Sequence, residues 1–218
     1  MKTLKKSQIS ELKKEMPMLD SKEMKSIIGG EQYQFDALGN LVGGEPDWSV
    51  SGISVWANDQ TLYLSGSITT ETWNTTSGCC LVINGYGVNQ DLFTFLAYNT
   101  GVEWFYLFNS GSNDGRLITA HGVHFSLCDG THSNGYENVA HNHGNSDYVF
   151  KPYWMTDEEW ITYNGLPTNE DINWLIDHNY NTGSIFNKYD GMWHEYTRNS
   201  LTQQLYSAEL KQAKGIEE

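Results

Sequence analysis

Val139-Ala140-His141-Asn142-His143, followed downstream by Pro167-Thr168-Asn169-Glu170-Asp171-Ile172-Asn173-Trp174-Leu175-Ile176, decides the reading of this chain. Val139 and Ala140 read as a short buried strand that runs into the histidines. Residues two apart on a strand share a face, so the imidazoles of His141 and His143 point the same way and both reach one ion. Two readings stay open for such a pair: a metal site, or ordinary hydrogen-bonded histidines. A catalytic zinc takes three protein ligands and keeps one position for water. The third ligand would then be a carboxylate, and the candidates are Asp147, four residues on, and Asp171, at the start of the next helix. Pro167-Thr168 opens that helix, with Ile172, Leu175 and Ile176 along its apolar side.

Outward from this centre the chain alternates short apolar runs with turns. Ile53 and Val55 face Leu62 and Leu64 across Asn58-Asp59, a hairpin signal. Asn89 or Asp91 caps a helix through Leu92, Phe93, Phe95, Leu96 and Tyr98. Strands follow at Val102–Phe108 and, after the turn of residues 110–115, at Arg116–Phe125. Thr156 caps a short helix before Asp157-Glu158-Glu159. Ser184–Asn187 and Met192–Thr197 flank the turn Lys188-Tyr189-Asp190-Gly191, and Leu201–Lys214 reads as a closing helix. The pattern predicts one α+β domain with a mixed or antiparallel sheet flanked by helices. Residues 31–48, Gly-rich and without a period, read as a flexible segment ahead of it.

The 218 residues carry a formal charge of −14, unevenly spread. Seven of the 13 basic residues lie in the first 30 positions, against four of the 27 acidic ones. That segment is therefore +3 and the remainder −17. Nucleic acid is not an expected partner, because phosphate contacts need clustered Lys and Arg. No run approaches the roughly 20 apolar residues of a membrane span. Residues 1–28 carry a helical pattern divided by Pro17 and closed by Gly29-Gly30. The stretch Leu19-Asp20-Ser21-Lys22-Glu23-Met24-Lys25-Ser26-Ile27-Ile28-Gly29-Gly30 resembles a double-glycine leader of the Bacteroidales type. That resemblance implies a peptidase-containing ABC transporter as partner, cleavage after Gly30 and a secreted product. Two glycines before the cut suit a narrow protease cleft, since neither has a Cβ.

The order HxH, loop, Pro-Thr-x-x-Asp, helix, then a hairpin ending in Gly191-Met192-Trp193-His194-Glu195-Tyr196 resembles the C-terminal half of JAB/JAMM metallopeptidases. The JAB-like domains of bacterial toxins are the nearest form. Upstream, the helix Asp91–Tyr98 and Gly101-Val102-Glu103-Trp104 are similar to that family's helix-then-strand opening. The resemblance spans residues 88–197 and implies a JAB-like, cytidine-deaminase-like layering over 49–218, with the first hairpin as an N-terminal extension. It implies Zn2+ held by His141, His143 and Asp171, with Asp147 the alternative third ligand. It further implies Glu103 as general base and Thr168, in the place of the family's Ser, as oxyanion donor. The expected activity is hydrolysis of an amide or isopeptide bond in a protein or peptide by a secreted effector or toxin, with an immunity protein as a further partner. Gly144 in place of Pro and the long interval to Asp171 depart from the family pattern.

Other readings compete. Cys79, Cys80 and Cys128 have neither zinc-knuckle nor thioredoxin spacing; either of the adjacent pair could bond Cys128 in an oxidising compartment, or all three stay buried thiols. Cys79 or Cys80 as a nucleophile would make the chain a thiol hydrolase. A non-enzymatic secreted binding protein is the remaining alternative. Trp48, Trp56, Trp73, Tyr86 and Tyr98 are candidates for a glycan platform or, more simply, for core partners. His178 and His194 are candidate hydrogen-bond partners of the metal ligands. His121 and His124, three apart, would not share an ion.

Overall fold

The computed structural model describes residues 31–43, 52–75, 78–112, 114–120, 135–144 and 151–216. Residues 31–218 form one compact unit. The predicted leader with Gly29 and Gly30, the alternative ligand Asp147, and His121, His124, His132, Trp48 and Cys128 lie outside the described residues.

The architecture is α+β. A seven-stranded mixed sheet has the order β11-β10-β9-β7-β8-β6-β5. Its strands are β5 (Thr69–Thr75), β6 (Gly78–Gly85), β7 (Phe105–Phe108), β8 (Gly115–Thr119), β9 (Asn138–His141), β10 (Thr182–Asn187) and β11 (Met192–Thr197). Only the β9–β10 pair in it is parallel. A four-stranded sheet of order β2-β1-β3-β4 is built from β1 (Glu31–Phe35), β2 (Leu41–Gly43), β3 (Gly52–Ala57) and β4 (Gln60–Ser65). The predicted β3–β4 hairpin forms. Asn58 and Asp59 both adopt positive φ, 49° and 59°, which is the two-residue turn that matches strand twist.

One sequence expectation is overturned at the start of this unit. Residues 31–43, read as part of a flexible segment, form β1 and β2. Tyr33 and Phe35 are buried, and β1 runs parallel to β3. Period-2 alternation over only five residues left the strand without a sequence signal; its partner is about 20 residues away, and pairing with it supplies the order. The Thr-rich β5 likewise carries no strand signal of its own and gains its place as the edge strand beside β6.

Four helices are described: α1 (Gln90–Asn99), α2 (Asp157–Asn164), α3 (Asn169–Asp177) and α4 (Gln203–Ala213). Each begins at a side-chain cap, from Asn89, Thr156, Thr168 and Thr202 respectively. Successive strand residues point to opposite faces, so the large sheet serves two cores. On one face Tyr106, Leu117, Ile83, Ala140 and Phe186 pack with Phe93 and Leu96 of α1 and with Tyr33, Phe35 and Val55 of the small sheet. On the other face Phe105, Leu107, Val139, Ile185 and Tyr196 pack with Leu175 of α3. Each fully buried Leu or Phe contributes about 1.5–3 kcal/mol of transfer free energy. Among the described residues no helix is long and apolar enough to cross a membrane.

Candidate metal centre

His141 is the last residue of β9, in the middle of the large sheet. It lies opposite Phe105 of β7 on one side and Ile185 of β10 on the other. Alternation turns its ring to the α3 face, where it lies nearly parallel to the Phe105 ring and meets Tyr196 edge-on. His143, two residues on, projects to the same side. Asp171 comes from the first turn of α3, 28 positions beyond His143 in the sequence.

Three atoms converge there. His141 Nε2 and His143 Nε2 are 3.3 Å apart, and Asp171 Oδ2 stands 3.4 Å and 3.6 Å from them. A tetrahedral ion with bonds of about 2.0–2.1 Å separates its ligand atoms by about 3.3–3.4 Å. The observed triangle approximates one face of such a tetrahedron: its in-plane centre is about 2.0 Å from each corner, so an ion with bonds of that length sits at or slightly above the plane. Within the described residues, His141, His143 and Asp171 thus form a group able to hold a metal ion. His141 is 1% exposed, whereas the side chains of His143 and Asp171 are 17% and 18% exposed. The group is therefore closed to solvent at His141 and partly open at His143 and Asp171.

The surroundings prepare this geometry. His143 Nδ1 lies 3.1 Å from the Asn164 carbonyl at the end of α2. Donation to that oxygen keeps the proton on Nδ1 and turns the Nε2 lone pair to the group. Gln203 Nε2 of α4 is also 3.1 Å from Nδ1, but as a donor it can bond that nitrogen only in the other tautomer, so with Nδ1 protonated it packs beside the ring. Asp171 is held by a capping box. Its Oδ2 accepts from the Thr168 amide at 2.7 Å and the Thr168 hydroxyl at 2.8 Å, while its own amide donates to Thr168 Oγ1. The helix N-terminus favours the ionised carboxylate as well. Burial opposes that charge, but the two histidines outweigh it and hold the Asp171 carboxyl well below the usual range. For His141, burial opposes the charged ring, and Asp171 and then Glu103 outweigh it and raise its pKa above the usual value. His141 Nδ1 is buried with no hydrogen-bond partner among the described residues.

Glu103 sits just before β7, 6% exposed and within electrostatic reach of His141 and Tyr196. Asn142, between the two histidines, places it. The Asn142 side chain accepts from the Trp104 amide at 2.9 Å and donates to the Val102 carbonyl at 3.1 Å, and its own amide donates to the Trp104 carbonyl. The Trp104 indole in turn donates to Thr100, the C-cap of α1. Tyr196 is pushed well above its usual pKa by burial and then by Asp171 and Glu103, so its phenol stays a neutral donor.

The structure thus gathers the predicted Glu103, His141, His143, Thr168 and Asp171 in one place. The Thr168 hydroxyl is engaged with Asp171, which makes it a positioning residue for that carboxylate. His178 and His194 do not support the ligands: His178 stacks on Trp174 and bonds its carbonyl, and His194 pairs with Asp190. The supporting partners are Asn142 and the Asn164 carbonyl, with Gln203 packed beside His143. Asn142 carried a local signal, as the residue between the histidines with its side chain on the opposite face. Gln203, 60 positions from His143, carried none. Cys80 is buried and disulfide-bonded, so it offers no thiol for nucleophilic attack. No family model, curated protein or solved structure gives a match to this chain.

Proposed function

We propose that the chain is a zinc-dependent hydrolase of the JAB/JAMM type that cleaves an amide or isopeptide bond, and that it acts outside the cell after removal of residues 1–30. The observation that carries this reading is the triangle of His141 Nε2, His143 Nε2 and Asp171 Oδ2, with the edges of a tetrahedral zinc site and one accessible side. Zinc bound there would acidify a water and polarise the scissile carbonyl. Glu103, buried beside His141, accepts the proton of the attacking water and returns it to the leaving amine. Thr168 keeps Asp171 in place, and Asn142 keeps the Glu103 segment against the histidines. The element order supports the family resemblance: helix α1, Glu103 before β7, His141 closing β9 with His143 two residues beyond it, Asp171 in the first turn of α3, then the β10–β11 hairpin.

The test is metal analysis of protein purified without chelator, followed by hydrolysis of peptide and isopeptide substrates. One zinc per chain is expected, lost in His141→Ala and His143→Ala. Glu103→Gln should keep zinc and lose hydrolysis. A wild-type chain that binds no stoichiometric metal, or a fully active Glu103→Gln variant, overturns the reading.

A further inference from the structure

Two cavities lie on the face of the large sheet opposite the metal centre. Strand alternation separates them: Phe105 turns to His141, and its neighbour Tyr106 turns to Phe93 of α1. The first cavity, about 450 Å³, is lined by residues that include Asp91, Tyr106, Phe108, Ser184 and Trp193. The second, about 500 Å³, includes Phe95, Tyr98, Asn99 and Trp193. Gln90, Asp91 and Trp193 line both, so the two meet at the start of α1. Each has the volume of an ordinary small-ligand site.

The lining chemistry is specific. Trp193 packs against Phe93 and Phe186 and still borders both cavities, so part of its indole is open to a ligand. Tyr106 is 3% exposed, yet it borders the first cavity, and its hydroxyl makes no hydrogen bond among the described residues. Burial and then Asp91 push its pKa up to about 12, so it remains a donor. The Ser184 hydroxyl is likewise unengaged among the described residues. No Lys or Arg lines either cavity, and Asp91 supplies a carboxylate, so anionic ligands are repelled. An ammonium ligand would use acceptors and aromatic faces alone; this cleft also presents hydroxyl and amide donors. A polyol uses both kinds of group, and its apolar C–H face stacks on an aromatic ring.

We propose that the cleft at the start of α1 binds an uncharged oligosaccharide, with Trp193 as the stacking platform and Asp91, Tyr106 and Ser184 bonding the sugar hydroxyls. This does not rest on the metal reading, since it uses the other face of the sheet. It also relocates the aromatic platform: among the described side chains singled out in the sequence for that role, Tyr98 borders the cleft, and the platform at its centre is Trp193 of β11.

The full-length chain is screened on an array of neutral and acidic oligosaccharides, and the strongest neutral binder is measured by calorimetry. Neutral oligosaccharides should bind, and Trp193→Ala and Asp91→Ala should each weaken binding by about tenfold or more. Trp193 also packs in the core, so the exposed Asp91 supplies the variant that keeps the fold. Binding of acidic glycans alone, displacement of the neutral sugar by tetramethylammonium, unchanged affinity in Asp91→Ala, or no binding at all overturns the proposal.

Discussion

Asn142→Ala is the substitution that most directly tests how this fold holds its candidate site. The Asn142 side chain closes two hydrogen bonds to the backbone on either side of Glu103, at 2.9 Å and 3.1 Å. A weaker one reaches the His143 carbonyl at 3.3 Å. Asn142, Val102 and Trp104 are all within 2% of full burial. Truncation therefore leaves the Trp104 amide and the Val102 carbonyl without their side-chain partner in a place water does not reach. Each such orphaned group costs about 1–3 kcal/mol, so the expected loss is about 2–6 kcal/mol. For a domain of this size about 1 kcal/mol moves Tm by about 2–4 °C, which gives a fall on the order of 10 °C. Asn109→Ala is the control. It also breaks two hydrogen bonds to backbone, to Gly135 and Glu137, but at the surface, and should cost under about 1 kcal/mol. Thermal and urea denaturation of the metal-free chains measure both. Asn142→Ala with a loss no larger than that of Asn109→Ala would refute the stapling role. Asn142→Asp should be no better than Ala, since it places an acceptor against the Val102 carbonyl.

Three further outcomes follow from the same geometry. Metal affinity should rise with pH: the raised pKa of His141 means that a proton occupies the site at and above the usual 6.5, and a metal must displace it. The expected gain is about tenfold per pH unit while His141 is protonated, levelling off above its folded pKa; competition titrations that are flat in pH would contradict it. The sign for stability is opposite. A raised histidine pKa stabilises the metal-free chain below its unfolded value, and that contribution is lost as pH rises through the folded pKa. Thr168→Ala should cost about 0.5–2 kcal/mol in denaturation and weaken metal binding by loosening Asp171, and Thr168→Ser should restore both. Gly183→Ala should cost about 1–3 kcal/mol and displace the Tyr196 ring, because a Cβ there would stand 2.5 Å from it; an unchanged Tm would show that the ring is free to move.

Much of the local structure was legible. Asn89, Thr156 and Thr168 mark helix starts because a side-chain oxygen satisfies an amide that the helix itself leaves unpaired. The β3–β4 and β10–β11 hairpins carry their turn residues with them. What failed was strand pairing over distance. Neither β1 nor β5 has an alternation strong enough to announce it, and each becomes a strand only beside its neighbour. The same limit hid Gln203 and the Asn164 carbonyl, whose relevance to His143 exists only after α2 and α4 have packed.

The sequence by itself pointed His141 and His143 to one side through their two-residue spacing on an expected strand; the strand ends at His141, and the chain beyond it still turns His143 to that side. It also determined that Asp171 opens a helix with its carboxylate in the first turn. It left open whether Asp171 or Asp147 stands near the histidines. The tertiary structure brings Asp171 there, because α3 packs Leu175 onto the sheet face that carries His141 and thereby delivers its N-terminus to the ring nitrogens. Backbone periodicity fixes the direction of a side chain within one element. The distance between side chains of different elements is set by how those elements pack, and that is where the candidate site was decided.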